Sequence, residues 1–534
     1  MHKKLGSVLN GNWFLQILVI LLTIVQVVCV FCLPIYVNHL LNNIDKYDVF
    51  NLILLFLVFA VCLLIFNVFL NYVKKKFKIY FKIKLNEDLY YKLFRVRYDV
   101  LNKKGMSYYT EYINNAVTNI SNYFTDAIPG IIATVLMLFV CIVIIGLYNF
   151  YLTFLLFLLV FLQYNIFKHI NKRLSFKCQR LSSVCSTGFS YILSAVENLE
   201  FLKSRSHHKS LMRLLYPKIS EMHDVTEDVN NYAANMCSIY AIFVNFVQYF
   251  MLLYFGYLVL IGQLGVSNFV FVSIILSVFF DNLSAVSSIS LKSSEASASW
   301  KFVDEEILEL MERDNGVELC EVTRLDFVDG VLGYDDLVLA DNINLSAKKG
   351  DVVFIKGETG TGKSSLVKCL LGLKDMAGLK LNGQDYVDYS LESIRSHIAY
   401  VSQNFLLLDD SLLNNILMGE ELSVDNVLKF NFFNKFVDNG HIANIEIVNK
   451  GNNLSGGDKQ KIILARTLIK DYDLLILDEV TSSMDKETEK IVFDEIFSRR
   501  QNLITIIISH DDHLMAYANK VWQLADKKFR EIIN

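Results

Sequence analysis

Asp, Glu, Lys and Arg are missing from four long stretches in the front half of the chain: Leu5–Ile44, Val49–Val73, Ala127–Phe167 and Val229–Phe280. A helix needs about 20 apolar residues to cross roughly 30 Å of hydrocarbon, so the first two stretches hold one span each. The other two are far longer, and each contains a turn-like break, Gly146-Leu147-Tyr148-Asn149 in one and Gly262-Gln263-Leu264-Gly265 in the other. Each therefore predicts a helical hairpin, and the total is six spans. Leu, Ile, Phe and Val dominate these runs, each favouring insertion by about 0.3–0.6 kcal/mol. A soluble domain of this size lacks the interior to hide six such helices.

Polar positions between the spans orient them. Lys74–Lys104 carries eleven Lys or Arg and Lys168–Lys218 carries ten, whereas the loop around Lys46 has one and the hairpin tips have none. The positive-inside rule places both basic loops, and both chain ends, on the cytoplasmic side. Helical patterns inside these loops, such as Ser190 to Leu199, predict that membrane helices continue into the cytoplasm. Ser107–Asn114 and Ser194–Leu202 are the expected tips. Met1-His2-Lys3-Lys4 before an apolar run imitates a signal peptide, but the run is too long and lacks a small-x-small cleavage site, so a retained first helix is expected.

Composition sharpens the division. Of 534 residues 53% are hydrophobic and 20% charged, which excludes a disordered or collagen-like chain. A cut after Asp314 leaves 27 basic and 21 acidic residues in front, but 24 and 34 behind. The front is basic and apolar; the back is acidic and soluble in character. A net charge of −4 gives no reason to expect nucleic acid as a partner. Nine cysteines lie in apolar spans or on the expected cytosolic side, so they read as packing residues rather than a disulfide framework; Cys29-x-x-Cys32 has no basic neighbour to stabilise a thiolate. His207, His208 and His223 read as solvated loop residues.

From Val322 short β-like runs appear. The run Asp351 to Lys356 feeds Gly357-Glu358-Thr359-Gly360-Thr361-Gly362-Lys363-Ser364, which fits G-x-x-x-x-G-K-[ST]. Glycines there let backbone N–H groups converge on phosphates, and the following helix offers its positive end. Lys363 reaches the β- and γ-phosphates, and Ser364 is placed to ligate Mg²⁺. A second strand, Leu474-Leu475-Ile476-Leu477, reads as buried and parallel and ends in Asp478-Glu479. Its C-terminal edge is where open α/β sheets bind ligands. Asp478 is the candidate for Mg²⁺ and Glu479 for the attacking water. Between the two lies Leu454-Ser455-Gly456-Gly457-Asp458, ahead of a helical pattern through Ile469.

The order of phosphate loop, Gln403, Leu-Ser-Gly-Gly, Asp-Glu and His510 resembles an ATP-binding-cassette ATPase from about Val322 to the C-terminus; the front half resembles the six-helix exporter arrangement in hydropathy and loop length. The resemblance implies an α-helical six-span transmembrane domain over 1–315, followed by an α/β P-loop NTPase domain over 316–534. Tyr334 matches the aromatic that stacks on adenine, and the loop Gly357, Glu358, Thr359, Gly360, Thr361, Gly362, Lys363, Ser364 and Ser365 matches the phosphate cradle. Gln403 matches the glutamine that contacts Mg²⁺, Ser455, Gly456 and Gly457 the signature that closes on nucleotide held by another subunit, and His510 the switch histidine. ATP and Mg²⁺ are the implied ligands. Glu479, His510, Gln403 and Lys363 are the implied catalytic set, with Ser364, Gln403 and Asp478 around the metal. Ser482-Ser483-Met484-Asp485 sits where a dimer-contact loop belongs.

Two positions depart from the pattern. Asp458 stands where the family usually has glutamine, and Asn449 where exporters often have glutamate. One phosphate loop and one signature make two half-sites, so a dimer with a second copy or a related half-transporter is expected. The resemblance implies export or flipping of a hydrophobic, amphipathic, lipid-like or peptide cargo from a bacterial inner membrane. An importer of the same fold, or a membrane-anchored regulatory or assembly ATPase, are the alternatives. No peptidase-like domain precedes the first span, which disfavours a leader-cleaving peptide exporter. Gln26, Asn67, Asn71, Asn245, Gln248 and Asp281 are the polar candidates within the spans.

Overall fold

Among the described residues the charge-free runs lie in helices, several of them longer than a bilayer requires. A computed structural model describes residues 13–41, 49–148, 150–197, 203–204, 208–313, 315–334, 337–358, 360–402, 406–499, 502–525 and 527–532. It divides into two units, Met1–Met311 and Glu312–Asn534.

In the first unit, six helical segments among the described residues are long and apolar enough to cross a membrane. They are α1 (Trp13–Leu41), α2 (Val49–Leu93), α3 with α4 (Met106–Asn122 and Ile128–Gly146), α5 (Phe150–Glu197), α6 (His208–Leu260) and α7 (Val266–Phe302). The two hairpin breaks fall where the glycines place them, between α4 and α5 and between α6 and α7. At 45, 48 and 53 residues, α2, α5 and α6 are about twice as long as a span requires. Between α3 and α4 the helix widens into a π turn, Tyr123–Ala127. Pro129 follows at once, lacking the N–H of a regular turn, and the Ile128 N–H reaches back five residues to the Tyr123 carbonyl.

Several polar residues of the spans satisfy one another. Gln26 Nε2 donates to Asn67 Oδ1 at 2.8 Å, joining α1 to α2, and buried Gln163 donates to the Leu283 carbonyl at 2.6 Å, joining α5 to α7. Gln248 Nε2 donates to Ser277 Oγ at 3.4 Å. Asp281 lies about four turns into α7 on a face that is exposed in the single chain.

The expected tip at Ser107–Asn114 is corrected by the structure. That segment lies within α3, where Tyr108, Tyr109, Tyr112 and Ile113 are buried and Tyr112 stacks on Phe302 with ring centroids 3.4 Å apart. The turn lies earlier, around a short helix, Tyr98–Lys104, that has no buried residue. It is tied to the end of the last membrane helix by the Arg97 N–H to Leu310 carbonyl bond of 3.0 Å. Helical spacing of four apolar or aromatic side chains turned this face inward, and Gly105, at φ +80, separates the two helices. In the other basic loop α5 ends at Glu197, and 198–202 lie outside the described residues.

The second unit holds two sheets. β1 (Arg324–Tyr334), β2 (Leu337–Lys348), β4 (Ala377–Leu381) and β5 (Gln384–Asp385) form an antiparallel sheet in the order β2-β1-β4-β5. The larger sheet takes β3 (Val352–Gly357), β6 (Ile398–Val401), β9 (Leu474–Asp478), β10 (Ile504–Ile508), β11 (Lys520–Ala525) and β12 (Lys528–Ile532), in the order β12-β11-β3-β10-β9-β6. All its neighbours are parallel except β12. A two-stranded pair, β7 (Val437–Asp438) and β8 (His441–Ile442), stands apart. Every residue of β9 and β10 is buried, the mark of strands covered on both faces. The helices used below are α8 (Lys363–Leu370), α9 (Gly456–Leu468) and α10 (Lys486–Arg499).

Candidate active site

Strand register brings the separated motifs to one edge. Ile508 pairs laterally with Ile355 on one side and with Asp478 on the other, so β3, β10 and β9 end together. The loops leaving them carry Lys363, His510 and Glu479. β6 ends at the same edge, with Val401 opposite Leu477.

The phosphate loop turns sharply from β3 into α8. Gly362, the residue before the helix, has φ +117, a conformation closed to side-chain-bearing residues without strain. Thr361 Oγ1 closes the turn on the Glu358 carbonyl at 2.8 Å. Lys363 is 7% exposed and donates Nζ to the Gly357 carbonyl and, at 3.1 Å, to that of Glu358. Burial lowers its pKa, opposed by the charges of Glu479 and Asp478. Ser364 is exposed and Ser365 half-buried in the first turn of α8, while Thr359 lies outside the described residues.

Asp478 is 7% exposed at the end of β9. Burial pushes its pKa up; the Tyr400 hydroxyl, which donates to Oδ2 at 3.3 Å, works against this, Glu479 adds to it and Lys363 opposes it. Such a carboxylate gains from a hard cation beside it, and with the Ser364 hydroxyl it is a donor set suited to Mg²⁺. Glu479 adopts φ +51, and its N–H donates to the Ile508 carbonyl at 2.9 Å. Its Oε1 lies 3.1 Å from His510 Nε2. A buried ammonium, a burial-strained carboxylate and a carboxylate–imidazole pair thus share one sheet edge, the equipment for positioning a polyphosphate and a water.

The signature residues meet a different neighbour. Ser455 caps α9, its hydroxyl accepting from the Asp458 N–H at 3.2 Å. Gly456 lies so close to the turn after β9 that a Cβ there would stand 3.0 Å from Ser483 Cβ. Gln460 fastens the same contact, donating to Ser482 Oγ at 3.2 Å and accepting from the Ser483 N–H at 3.3 Å. Ser455 and Gly456 remain exposed and Gly457 half-buried. Tyr334 closes β1 opposite Leu337, and Gln403 lies outside the described residues. Asn449 and Lys450 form a turn at positive φ, with the Lys450 N–H bonded to Asp409 Oδ1 at 2.7 Å.

Two family models match the chain: "ABC transporter transmembrane region" over residues 15–283 and "ABC transporter" over 340–482. The first alone covers half of it. The chain belongs to the ABC transporter family. Among solved structures, this ABC transporter is similar in fold to a bacterial Atm1-family ABC exporter with ATP bound, with TM-score 0.85 and 21% identity over 98% of this chain and 95% of that one. Among curated proteins, an ATP-dependent lipid A-core flippase of Francisella tularensis subsp. holarctica (strain OSU18) is 32% identical over 209 residues, 36% of this chain and 34% of that protein. A β-(1→2)glucan export ATP-binding/permease protein of Rhizobium johnstonii is 36% identical over 200 residues, again 36% and 34%. The chain thus matches about a third of the length of these curated relatives.

Some site neighbours escape motif reading. Tyr400 reaches Asp478 only because β6 lies beside β9. Arg466 on α9 donates Nε to the Asn415 carbonyl at 2.6 Å and Nη1 to that of Leu406 at 3.1 Å. Buried Glu489 on α10 accepts from Thr481, and its other oxygen lies 2.7 Å from His513 Nε2, tying the loop after β9 to the loop after β10. For each of these the contact is long-range, and spacing along the chain carries no signal.

Proposed function

We propose that this chain is one half of an ATP-driven exporter or flippase that moves a hydrophobic or amphipathic cargo, lipid-like or peptide, across a bacterial inner membrane. The observation that carries this reading is the meeting of Lys363, Asp478, Glu479 and His510 at one sheet edge in a chain with six membrane-crossing helices. Lys363 and the loop N–H groups hold the phosphates, and Tyr334 packs on the base. Ser364, Asp478 and Gln403 would hold Mg²⁺, which when bound would neutralise phosphate charge. Glu479 takes the proton of the attacking water, and His510, 3.1 Å away, keeps the carboxylate aimed and senses the γ-phosphate. Ser455, Gly456 and Gly457 complete the site of a second copy or a related half-transporter, which makes the active species a dimer. Closure of that dimer on nucleotide and reopening after hydrolysis drive the membrane unit between its two access states.

The cargo class rests on the membrane unit and on the relatives. A cavity of about 510 Å³ between α5, α6 and α7 is walled by Phe167, Leu174, Met236 and Tyr240, with Asn230 and Ser288 as polar points. An apolar wall with a few hydroxyl and amide groups suits an amphiphile, and one relative is by its name a flippase of lipid A-core. Reconstitution in vesicles, with lipids, peptides and small amphiphiles screened for stimulation of hydrolysis and for movement, tests the reading. A cargo that both stimulates and crosses from the cassette side outward supports it. Hydrolysis indifferent to every cargo points to an assembly or regulatory ATPase, and inward movement to an importer; either overturns it.

A further inference from the structure

The first turn of α9 holds an acid where glutamine was expected, and a cation from a distant part of the chain answers it. Asp458 is 7% exposed, and its Oδ2 accepts from Lys435 Nζ at 2.7 Å. Lys435 lies in the turn Asn431–Phe436, whose Phe432, Phe433 and Phe436 are buried and anchor its backbone, while its own side chain is 63% exposed. The Asp458 N–H is bonded to the Ser455 hydroxyl, so the carboxylate stands one helical turn from the exposed residues that open α9. An acid in a first turn suits the helix dipole, but it also cancels the positive potential that this end offers an incoming anion.

We propose that Lys435 is a positioning and charge-neutralising residue for the signature: it masks Asp458 so that the open end of α9 can close on the phosphate tail of a nucleotide. This rests on the reading that the signature end meets nucleotide held by a second copy. An ordinary half-buried ion pair would instead serve only as a brace. The two roles differ in what the loss of the cation changes. Losing Lys435 strands the buried Asp458 carboxylate in either role, but a brace lost shows in the melting temperature alone, whereas lost masking raises the ATP requirement in a salt-dependent way because it uncovers a negative charge facing a polyanion.

The test measures hydrolysis against Mg·ATP concentration at low and high salt. It compares the full-length parent in lipid vesicles with Lys435→Ala, Lys435→Arg, Asp458→Asn and the double variant Asp458→Asn/Lys435→Ala. Lys435→Ala is expected to raise the half-saturating ATP concentration about tenfold, equivalent to about 1.4 kcal/mol, and added salt is expected to shrink the rise. Lys435→Arg stays near the parent, Asp458→Asn lies at or below it, and the double variant returns toward it. Melting temperatures separate this from misfolding, and Lys435→Gln replaces the alanine variant should that one fail to fold. The inference is overturned if Lys435→Ala matches the parent at low salt, or if Asp458→Asn raises the ATP requirement as much and the double variant gives no recovery. A parent that does not hydrolyse ATP at all defeats the underlying functional reading, and this inference with it.

Discussion

Under the proposed function, replacing Glu479 by glutamine is expected to separate chemistry from binding. The residue's backbone is held at φ +51 by the N–H bond to the Ile508 carbonyl, and its side chain is 20% exposed. Glutamine has the same shape, keeps an oxygen for His510 Nε2 3.1 Å away, and leaves Lys363 and the phosphate loop untouched. What is lost is the ability to take a proton. Loss of a positioned general base costs about 10²–10⁴-fold, or about 2.7–5.4 kcal/mol in the barrier. Nucleotide binding moves the other way: removing a negative charge near the Lys363 ammonium leaves the site more attractive to a polyanion. Phosphate release by the full-length protein in lipid nanodiscs, at saturating Mg·ATP, reads the rate; a fluorescent ATP analogue reads binding, and light scattering reads the dimer. The expected result is slow turnover with ATP retained in a long-lived dimer. Parent-like turnover, or a loss of rate matched by a loss of binding, would refute the assignment of the base.

Three further outcomes are expected. Asp478→Asn abolishes Mg²⁺-dependent hydrolysis yet leaves the nucleotide-free melting temperature equal or higher: a carboxyl whose pKa burial has raised favours the fold at low pH and loses that contribution as pH rises through the folded value, so at neutral pH its charge is a cost that asparagine removes. Arg395→Ala destabilises the second unit, because the guanidinium holds Glu312 through two bonds of 2.6 and 2.9 Å and also reaches the Leu371 carbonyl at 3.0 Å and that of Gly372 at 3.2 Å. For a pair buried to this extent the loss is about 2 kcal/mol, read as a melting shift of about 5 °C. Asp458 titrates with the opposite sign to Asp478: burial raises its pKa, but the Lys435 and Ser455 side chains outweigh that and hold it below the usual carboxylate range. Its contribution to stability is present above the ordinary aspartate value of about 3.9 and lost as pH falls through the folded one. An acid titration of melting temperature in the parent and in Asp458→Asn measures the difference.

Hydropathy alone determined the six spans and their hairpin breaks, because a bilayer imposes length and apolarity on every crossing helix and leaves backbone groups no other way to be satisfied. Local order along the chain likewise determined the phosphate loop, the Asp478-Glu479 step and the signature cap, since each is a short run whose chemistry depends on consecutive residues. The true turn between α2 and α3 was hidden because Tyr108, Tyr109 and Tyr112 look like loop polarity until Phe302, nearly 200 residues away, is seen to cover them. Only the sheet decided that His510 meets Glu479 and that Tyr400 meets Asp478, since parallel neighbours are chosen by crossover topology rather than by proximity in sequence. The same holds for Lys435 and Asp458. An acid at a signature position reads as a defect from its neighbours in the chain, and its counter-charge arrives through a core of phenylalanines that no local spacing announces.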